Sequence, residues 1–256
     1  MNWRTFFAML ARDAHVARRN FIPLLLQTLL QPLLFVLIFG RVLTAGGLLP
    51  TVYKSLLLPG VIAIAMVVTG FQAVAMPLIA EFQFSREIED RLLAPLEVEW
   101  LAIEKLVAGI VQSLAAGLAV IPLAWLIMGS DVNLSFASPL AFAAVALLVA
   151  CFSAAIGLTL GCSVGPTQIG LMFSVVLMPM IMFGCAYYPW SALASLPVLQ
   201  YAVLIDPVVY ASEGFRAVLA PQVEHLPLAV LVPALIAFDV LFVTIGMLLF
   251  RRKATG

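Results

Sequence analysis

The sequence predicts an all-α polytopic membrane protein with six transmembrane helices, and three observations support this fold class. Apolar residues make up 64% of the 256 residues and charged residues only 10%, whereas a soluble domain carries about a quarter charged residues. The mean hydropathy is +1.15. Uncharged stretches between the charged clusters reach the roughly 20 residues that a helix needs to cross a bilayer. We expect one transmembrane domain over residues 1–256, without a separate soluble catalytic domain.

Six spans, numbered along the chain, follow from the gaps between charged residues. The fourth and fifth share one long uncharged stretch, which we divide at Gly165-Pro166 because a turn forms readily there. The end of that stretch, residues 191–205, is too short to span and contains Pro197, so we expect it to be re-entrant or interfacial, within an outer region at residues 187–225. The predicted spans are 21–40, 55–80, 106–130, 139–164, 167–186 and 226–250.

Lysine and arginine are concentrated on one side of these spans. With both termini in the cytoplasm, ten of the thirteen basic residues lie inside, and only Arg41, Lys54 and Arg216 lie outside. Short cytoplasmic loops of membrane proteins carry such an excess. The sequence therefore predicts a multi-pass protein with both termini cytoplasmic. The formal net charge is zero, and we expect no nucleic-acid partner.

Residues 1–19 have the pattern of an amphipathic helix lying on the membrane. Their aromatic residues share one helical face with Leu10 and Ala14, and three arginines lie on the opposite face. Anionic lipid headgroups favour such a basic face, so membrane lipid is an expected partner. The alternative is a merely solvated basic leader, which leaves the aromatic face unexplained. A cleaved signal is not expected, because the apolar run that follows has full span length.

A charged segment, residues 81–97, separates the second and third spans. Ionised groups are costly in hydrocarbon, so this segment must lie outside the bilayer. Ser85 can cap a helix that ends before Pro95, and Phe84, Ile88 and Leu92 then share one face. Acidic residues outnumber basic ones here, which favours docking onto a protein rather than onto lipid. The alternative is an ordinary loop between helices.

Three other features invite functional hypotheses. Gly157, Gly161 and Gly165 repeat every four residues and allow close helix packing, either within the subunit or at a dimer interface. Asp239 falls near the middle of the sixth span, where it either serves function or is satisfied by a hydroxyl such as that of Thr244. The three cysteines show no metal-binding or disulfide spacing, so we interpret them as core-packing thiols. No catalytic or metal-ligating residue is predicted.

Several short motifs occur in a fixed order along the chain. They are Gln31-Pro32-Leu33-Leu34-Phe35 with Phe39-Gly40, Leu58-Pro59-Gly60, Arg86 to Leu96, Glu104-Lys105 with Ala108-Gly109, Asp206-Pro207-Val208-Val209-Tyr210 and Glu213-Gly214-Phe215-Arg216. Taken together, they resemble the membrane subunits of type 2 ATP-binding-cassette exporters, the ABC-2 type transporter family. The resemblance implies an ATPase-coupling role for Phe84, Arg86, Glu87, Ile88, Glu89, Asp90, Arg91 and Leu92. It implies an outer motif made by Asp206, Pro207, Tyr210, Glu213 and Arg216.

The resemblance further implies an N-terminal interface helix, a cytoplasmic coupling helix, re-entrant outer helices and a pathway formed with a second permease copy or paralogue. ATP hydrolysis must then reside on a separate ABC ATPase subunit that carries ATP and magnesium. This chain has no P-loop, because no lysine follows glycine. The expected location is the inner membrane of a prokaryote.

Two other function classes compete with the permease. An ion-coupled secondary transporter of small amphipathic molecules needs several ionisable residues at the midplane, and only Asp239 is available. An intramembrane enzyme needs converging acids or histidines at one depth, and none converge in this sequence. The transported substrate is open among glycans, lipids and drugs.

Overall fold

The computed structural model describes residue 30 and residues 32–83, 98–129, 134–135 and 138–255, and these residues are helical with connecting turns. No strand occurs in these ranges. We number the helices α1 (Pro32–Ala45), α2 (Val52–Gln83), α3 (Val98–Met128), α4 (Pro139–Ser163), α5 (Ile169–Phe183), α6 (Pro197–Ala202), α7 (Pro207–Leu219) and α8 (Leu228–Thr255). The predicted interface helix at residues 1–19 lies outside the described residues, and so do residues 84–97 of the charged segment.

Four of the described helices, α2, α3, α4 and α8, are long and apolar enough to cross a membrane. They overlap the second, third, fourth and sixth predicted spans, and α3 begins earlier than predicted, at Val98. The helices α1 and α5 are shorter, and each contains π-helical turns, at Val36–Val42 and Met172–Leu177. The first predicted span begins in residues that are not described. The fifth begins in a 3-10 turn at Pro166–Gln168, and its helix ends at Phe183, because the chain bends at residues 184–188.

The helix boundaries have local chemical causes. Ser138 caps α4, since its hydroxyl oxygen accepts a hydrogen bond from the Ala141 N–H at 3.4 Å, and Pro139 occupies the first helical position. At its other end, α4 stops at an extended Val164, directly before the predicted break at Gly165 and Pro166. This break separates α4 from α5, as the sequence predicts.

Helix α2 lies at the centre of the bundle and packs against α1, α3, α4 and α7. In an apolar stretch of 18 residues, 78% of α2 is buried inside the protein, whereas only 11% of the corresponding stretch of α8 is buried. Helix α8 contacts mainly α4 on one side. Most of α8 therefore faces outward, while α2 connects the other helices to each other.

Glycines allow the close packing of α2 against its neighbours. A Cβ atom at Gly157 would lie 2.8 Å from the Phe71 carbonyl oxygen, and one at Gly161 would lie 3.0 Å from the Ala75 Cα. Both glycines of α4 therefore pack against α2 within the subunit. Gly165 lies beyond the end of α4, and nothing in the described structure lies within 4 Å of a Cβ there.

Gly60→Ala is expected to destabilise the protein strongly. A Cβ at Gly60 would lie 1.9 Å from the carbonyl oxygen of Ala186, a backbone atom that cannot move aside alone. The cost should reach or exceed the upper end of the roughly 1–3 kcal/mol that overpacking incurs. Purified protein should therefore show a lower thermal unfolding midpoint and a lower folded yield. Gly165→Ala is the matched control, and equal midpoints for the two variants would contradict this packing.

Candidate functional site

Charged side chains collect at the two opposite ends of the helical bundle. At one end, Arg41 donates a hydrogen bond of 2.7 Å to the Ile127 carbonyl and Lys54 donates one of 3.3 Å to the Met128 carbonyl. These contacts join the end of α1 and the start of α2 to the end of α3. The residues of the opposite end come from the last turns of α2 and α8 and the first turns of α3.

At that opposite end, Glu81, Glu104 and Lys105 form a cluster that we call the inner charge cluster, after the cytoplasmic side predicted for the charged segment. The Lys105 Nζ lies 2.8 Å from the Glu81 Oε1 and 3.8 Å from the Glu104 Oε2, and all three residues are buried. The cluster joins the last turn of α2 to the start of α3. It therefore links the two helices directly at the base of the charged segment. The predicted coupling residues Phe84, Arg86, Glu87, Ile88, Glu89, Asp90, Arg91 and Leu92 lie between these helix ends, outside the described residues.

Helices α4 and α8 meet the other two at the same end. The Lys253 ammonium donates a hydrogen bond of 3.0 Å to the Cys162 carbonyl near the end of α4, and it lies 4.9 Å from the centre of the Phe82 ring of α2. A cation at a helix C-terminus is stabilising because it faces the partial negative charge of the last carbonyls. Lys253 thus connects three helix ends beside the inner charge cluster.

At the first end, Glu213 and Arg216 of α7 form an ion pair that is completely buried. The Glu213 Oε1 also accepts a hydrogen bond of 2.9 Å from the Trp190 N–H, and its Oε2 accepts one of 3.0 Å from the Leu226 N–H. The Arg216 Nη2 donates to the Cys185 carbonyl at 2.9 Å. We call Glu213, Arg216 and these three backbone groups the outer buried cluster, after the predicted outer motif that contains both residues.

The outer buried cluster connects three stretches of chain that are far apart in sequence. Burial lowers the pKa of the Arg216 guanidinium, and the Glu213 carboxylate opposes that shift. Removing one partner of such a pair is strongly destabilising, because the other charge is then buried without compensation. The pair therefore holds α7 between the bend after α5 and the start of α8.

Cys185 carries the unusual backbone conformation of this cluster. Its φ of 52° lies in the left-handed region, which is uncommon for a residue with a side chain. The hydrogen bond from Arg216 to its carbonyl holds this conformation in place. Nearby, the Tyr53 hydroxyl donates a hydrogen bond of 2.8 Å to the Tyr187 carbonyl, which attaches the same bend to the start of α2.

Asp206, Pro207 and Tyr210 shape the start of α7. The Asp206 Oδ1 accepts a hydrogen bond of 2.9 Å from the Val208 N–H and caps the helix, with Pro207 at its first position. Burial raises the pKa of Asp206 to about 7, and the hydrogen bond from Val208 opposes the shift. The Tyr210 hydroxyl donates to the Leu204 carbonyl at 2.9 Å. All five predicted outer-motif residues therefore lie on or directly before α7.

Asp239 lies on α8, away from both charged ends, and its side chain is largely buried. Its Oδ1 is buried and has no hydrogen-bond partner among the described residues. Thr244 does not satisfy it, because the Thr244 hydroxyl donates to the Val240 carbonyl at 2.6 Å. Asp239 thus remains separate from the inner and outer clusters.

Sequence reasoning did not find the backbone members of the outer buried cluster. The carbonyl of Cys185 and the N–H groups of Trp190 and Leu226 have no side-chain signature, because every residue except proline carries both groups. It also did not find the contact between Glu81 and Lys105, although both residues bound the charged segment. Opposite charges at the facing ends of two consecutive spans were the available signal for that contact.

The fold and the two charged ends define a polytopic membrane protein whose long apolar helices end in polar clusters. A family model described as ABC-2 type transporter matches residues 4–220. The chain is also 24% identical over 253 residues to the inner membrane transport permease YadH of Escherichia coli K12, which covers 98% of this chain and 96% of that protein. The YadH of Shigella flexneri matches to the same extent. The chain belongs to the ABC-2 type transporter family and is a membrane transporter permease.

Proposed function

We propose that the chain is the transmembrane permease subunit of an ATP-driven exporter in the inner membrane of a prokaryote. It forms the substrate pathway with a second copy or paralogue and couples to a separate ABC ATPase, a partner that the family implies in general. Its six spans include α1 and α5, its termini are cytoplasmic, and residues 187–225 form the outer re-entrant region. ATP and magnesium bind the ATPase, and residues 1–19 lie on the lipid surface.

The inner charge cluster is the observation that carries this proposal. The contact between Lys105 and Glu81 joins α2 and α3 on either side of the charged segment. A partner that displaces this segment therefore moves both helices together, since their ends cannot separate without breaking a buried ion pair. Lys253 adds the ends of α4 and α8 to the same unit. Movement of one docked segment is thereby passed to four helices of the bundle.

Asp239 supports the second candidate, an ion-coupled transporter. A buried carboxylate oxygen without a described partner is the kind of group that binds or carries a cation within a membrane. A single such residue is a weak basis for ion coupling, which relies on several groups near the midplane. The two candidates differ in their energy source, so one reconstitution experiment separates them.

The purified chain alone is expected to hydrolyse no ATP above background. Because it has no P-loop, ATP hydrolysis and ATP-driven transport should need the cognate ATPase. The two proteins should copurify when they are expressed together. The measurement is phosphate release and substrate movement in proteoliposomes, with and without the ATPase. Transport by the chain alone, driven by an ion gradient and lost in Asp239→Asn, would instead establish the ion-coupled candidate.

The proposed orientation makes a labelling prediction. In a cysteine-free background, single cysteines at Arg86 and Arg252 should be shielded from an impermeant thiol reagent in intact cells. A cysteine at Gln222, which is exposed in the turn before α8, should react. We expect this pattern because lysine and arginine, which are retained on the cytoplasmic side, are concentrated at the end of the bundle that contains Arg86 and Arg252. After the cells are broken open, both shielded sites should also react. Labelling at Arg86 in intact cells would reverse the orientation.

A further inference from the structure

An apolar groove of about 530 Å³ lies between α4, α5, α8 and the segment that leads into α7, and we call it the lateral groove. Within the described residues, α5 packs against α7 but not closely against α4 or α8, so the groove is the space that separates these helices. Every described lining residue is apolar except Asp206. The Asp206 carboxylate does not serve the groove, because its Oδ1 accepts a hydrogen bond from the Val208 N–H and its Oδ2 is buried.

The lateral groove lies at mid-depth of the bundle. Phe242 forms part of its wall and lies midway along α8 (Leu228–Thr255), which is long and apolar enough to cross a membrane. With a rise of about 1.5 Å per residue, Phe242 is about 20 Å from either end of that helix. Two other lining residues are exposed, Phe183 by 47% and Ile205 by 79%. The groove is therefore open, and at this depth its mouth faces the hydrocarbon of a bilayer.

The lining and the size of the lateral groove select its occupant. A buried water needs about two to four polar partners, and the apolar side chains supply none. A helix of a second copy is too thick, because a helix about 10 Å across takes up roughly 800 Å³ in each 10 Å of its length. If the groove stayed empty, its walls would lose their dispersion contacts. A single hydrocarbon chain is thin enough to enter and restores those contacts.

We propose that the lateral groove binds one acyl chain of a bilayer phospholipid, with the headgroup outside the groove at the membrane surface. The acyl chain takes the place of direct packing between α5 and the pair formed by α4 and α8. Binding depends on the hydrocarbon part of the lipid, since no charged group serves the groove. The site is separate from both charged ends and needs no ATPase, so it goes beyond the proposed function.

The test is native mass spectrometry of the full purified chain after extensive washing in octyl glucoside, with 1-palmitoyl-2-oleoyl phosphatidylcholine then added back. The chain should retain a phospholipid adduct. The added lipid should also raise the thermal unfolding midpoint of the washed chain, because a ligand of the folded state stabilises it. Phosphatidylglycerol with the same acyl chains should bind within about threefold as tightly, because its charge meets no partner in the groove.

Two variants fill the lateral groove from different helices. Ala202→Trp acts from α6 and Val176→Trp from α5. Each should lower the retained phospholipid by about tenfold or more, because no space is then left for an acyl chain. Val240→Trp is the matched control, since Val240 is 62% exposed and lies about 200° around α8 from Phe242. The control should keep both the adduct and the rise in the unfolding midpoint.

Because the two filling variants act from different helices, the test does not depend on the folding of either one. The absence of a phospholipid adduct on the unchanged chain would overturn the proposal. So would an undiminished adduct in a folded filling variant, or a preference for phosphatidylglycerol above about tenfold, which would mark a headgroup site. A dimer of the unchanged chain that both filling variants abolish would assign the groove to a second copy and would overturn the proposal as well.

Discussion

Replacing Ile88 and Leu92 together with aspartate is expected to uncouple the permease from its ATPase. These residues share the apolar face predicted for the charged segment, and we expect them to enter a groove on the ATPase. Central desolvated side chains dominate the binding free energy of most interfaces. A pair of aspartates in an apolar groove would be desolvated and unpaired, at a cost of several kcal/mol, which corresponds to a loss of affinity by orders of magnitude.

The measurement combines pull-down of the ATPase with transport-stimulated ATP hydrolysis at matched expression. Folding should survive, because neither residue lies in a predicted span. Arg12→Ala, in the predicted interface helix, is the control. It should retain both ATPase binding and transport-stimulated ATP hydrolysis. Wild-type pull-down and stimulation in the double aspartate variant would mean that the charged segment is only a loop, and would remove the docking role from the proposal.

Glu213→Gln is expected to cost about 3–5 kcal/mol of stability, the range for breaking a buried ion pair by removing one partner. The charge of Arg216 would then be buried against neutral acceptors alone, the Cys185 carbonyl and the amide oxygen of the new glutamine. Arg216→Met should cost less, because the Glu213 carboxylate keeps the N–H donors of Trp190 and Leu226. The physical reason is that the two backbone N–H donors compensate the negative charge of Glu213 better than neutral carbonyl oxygens compensate the positive charge of Arg216.

Thermal unfolding midpoints of the purified variants provide the measurement. Glu224→Gln changes an exposed carboxylate near the same end and should stay within about 0.5 kcal/mol of the unchanged chain. Midpoints for Glu213→Gln that match this control would contradict the stabilising role of the outer buried cluster. A larger loss in Arg216→Met than in Glu213→Gln would contradict the proposed role of the two N–H groups.

The positions of the spans could be predicted because charged residues cannot remain in hydrocarbon. Arg41 and Lys54 bind carbonyls at the end of α3, and Glu81 and Lys105 meet at the opposite end, so the charge gaps locate the apolar parts of these helices correctly. They do not give the helix lengths, because α3 begins at Val98 and α2 continues to Gln83, past the charged residues. The break at Gly165-Pro166 also follows from local chemistry. These features depend on residue type alone, which a sequence displays directly.

The interior of the outer region could not be predicted in the same way. Its hydrogen bonds end on backbone groups whose positions depend on how α5, α7 and α8 meet, and the left-handed Cys185 has no signature in its residue type. The bend at residues 184–188 shortens the fifth predicted span because Gly60 admits the Ala186 backbone next to α2. Such contacts are properties of the assembled bundle, not of any one segment.

The outer buried cluster also sets an order for biogenesis. The partners of Glu213 extend from Trp190 to Leu226, so its carboxylate cannot gain all its hydrogen bonds until the ribosome has synthesised the chain past residue 226. Until then, a nascent chain holds two ionised groups in an incomplete environment. The outer region therefore becomes complete only when α8 is being delivered to the membrane. A chain that stops before residue 226 leaves the Glu213 carboxylate without the Leu226 donor.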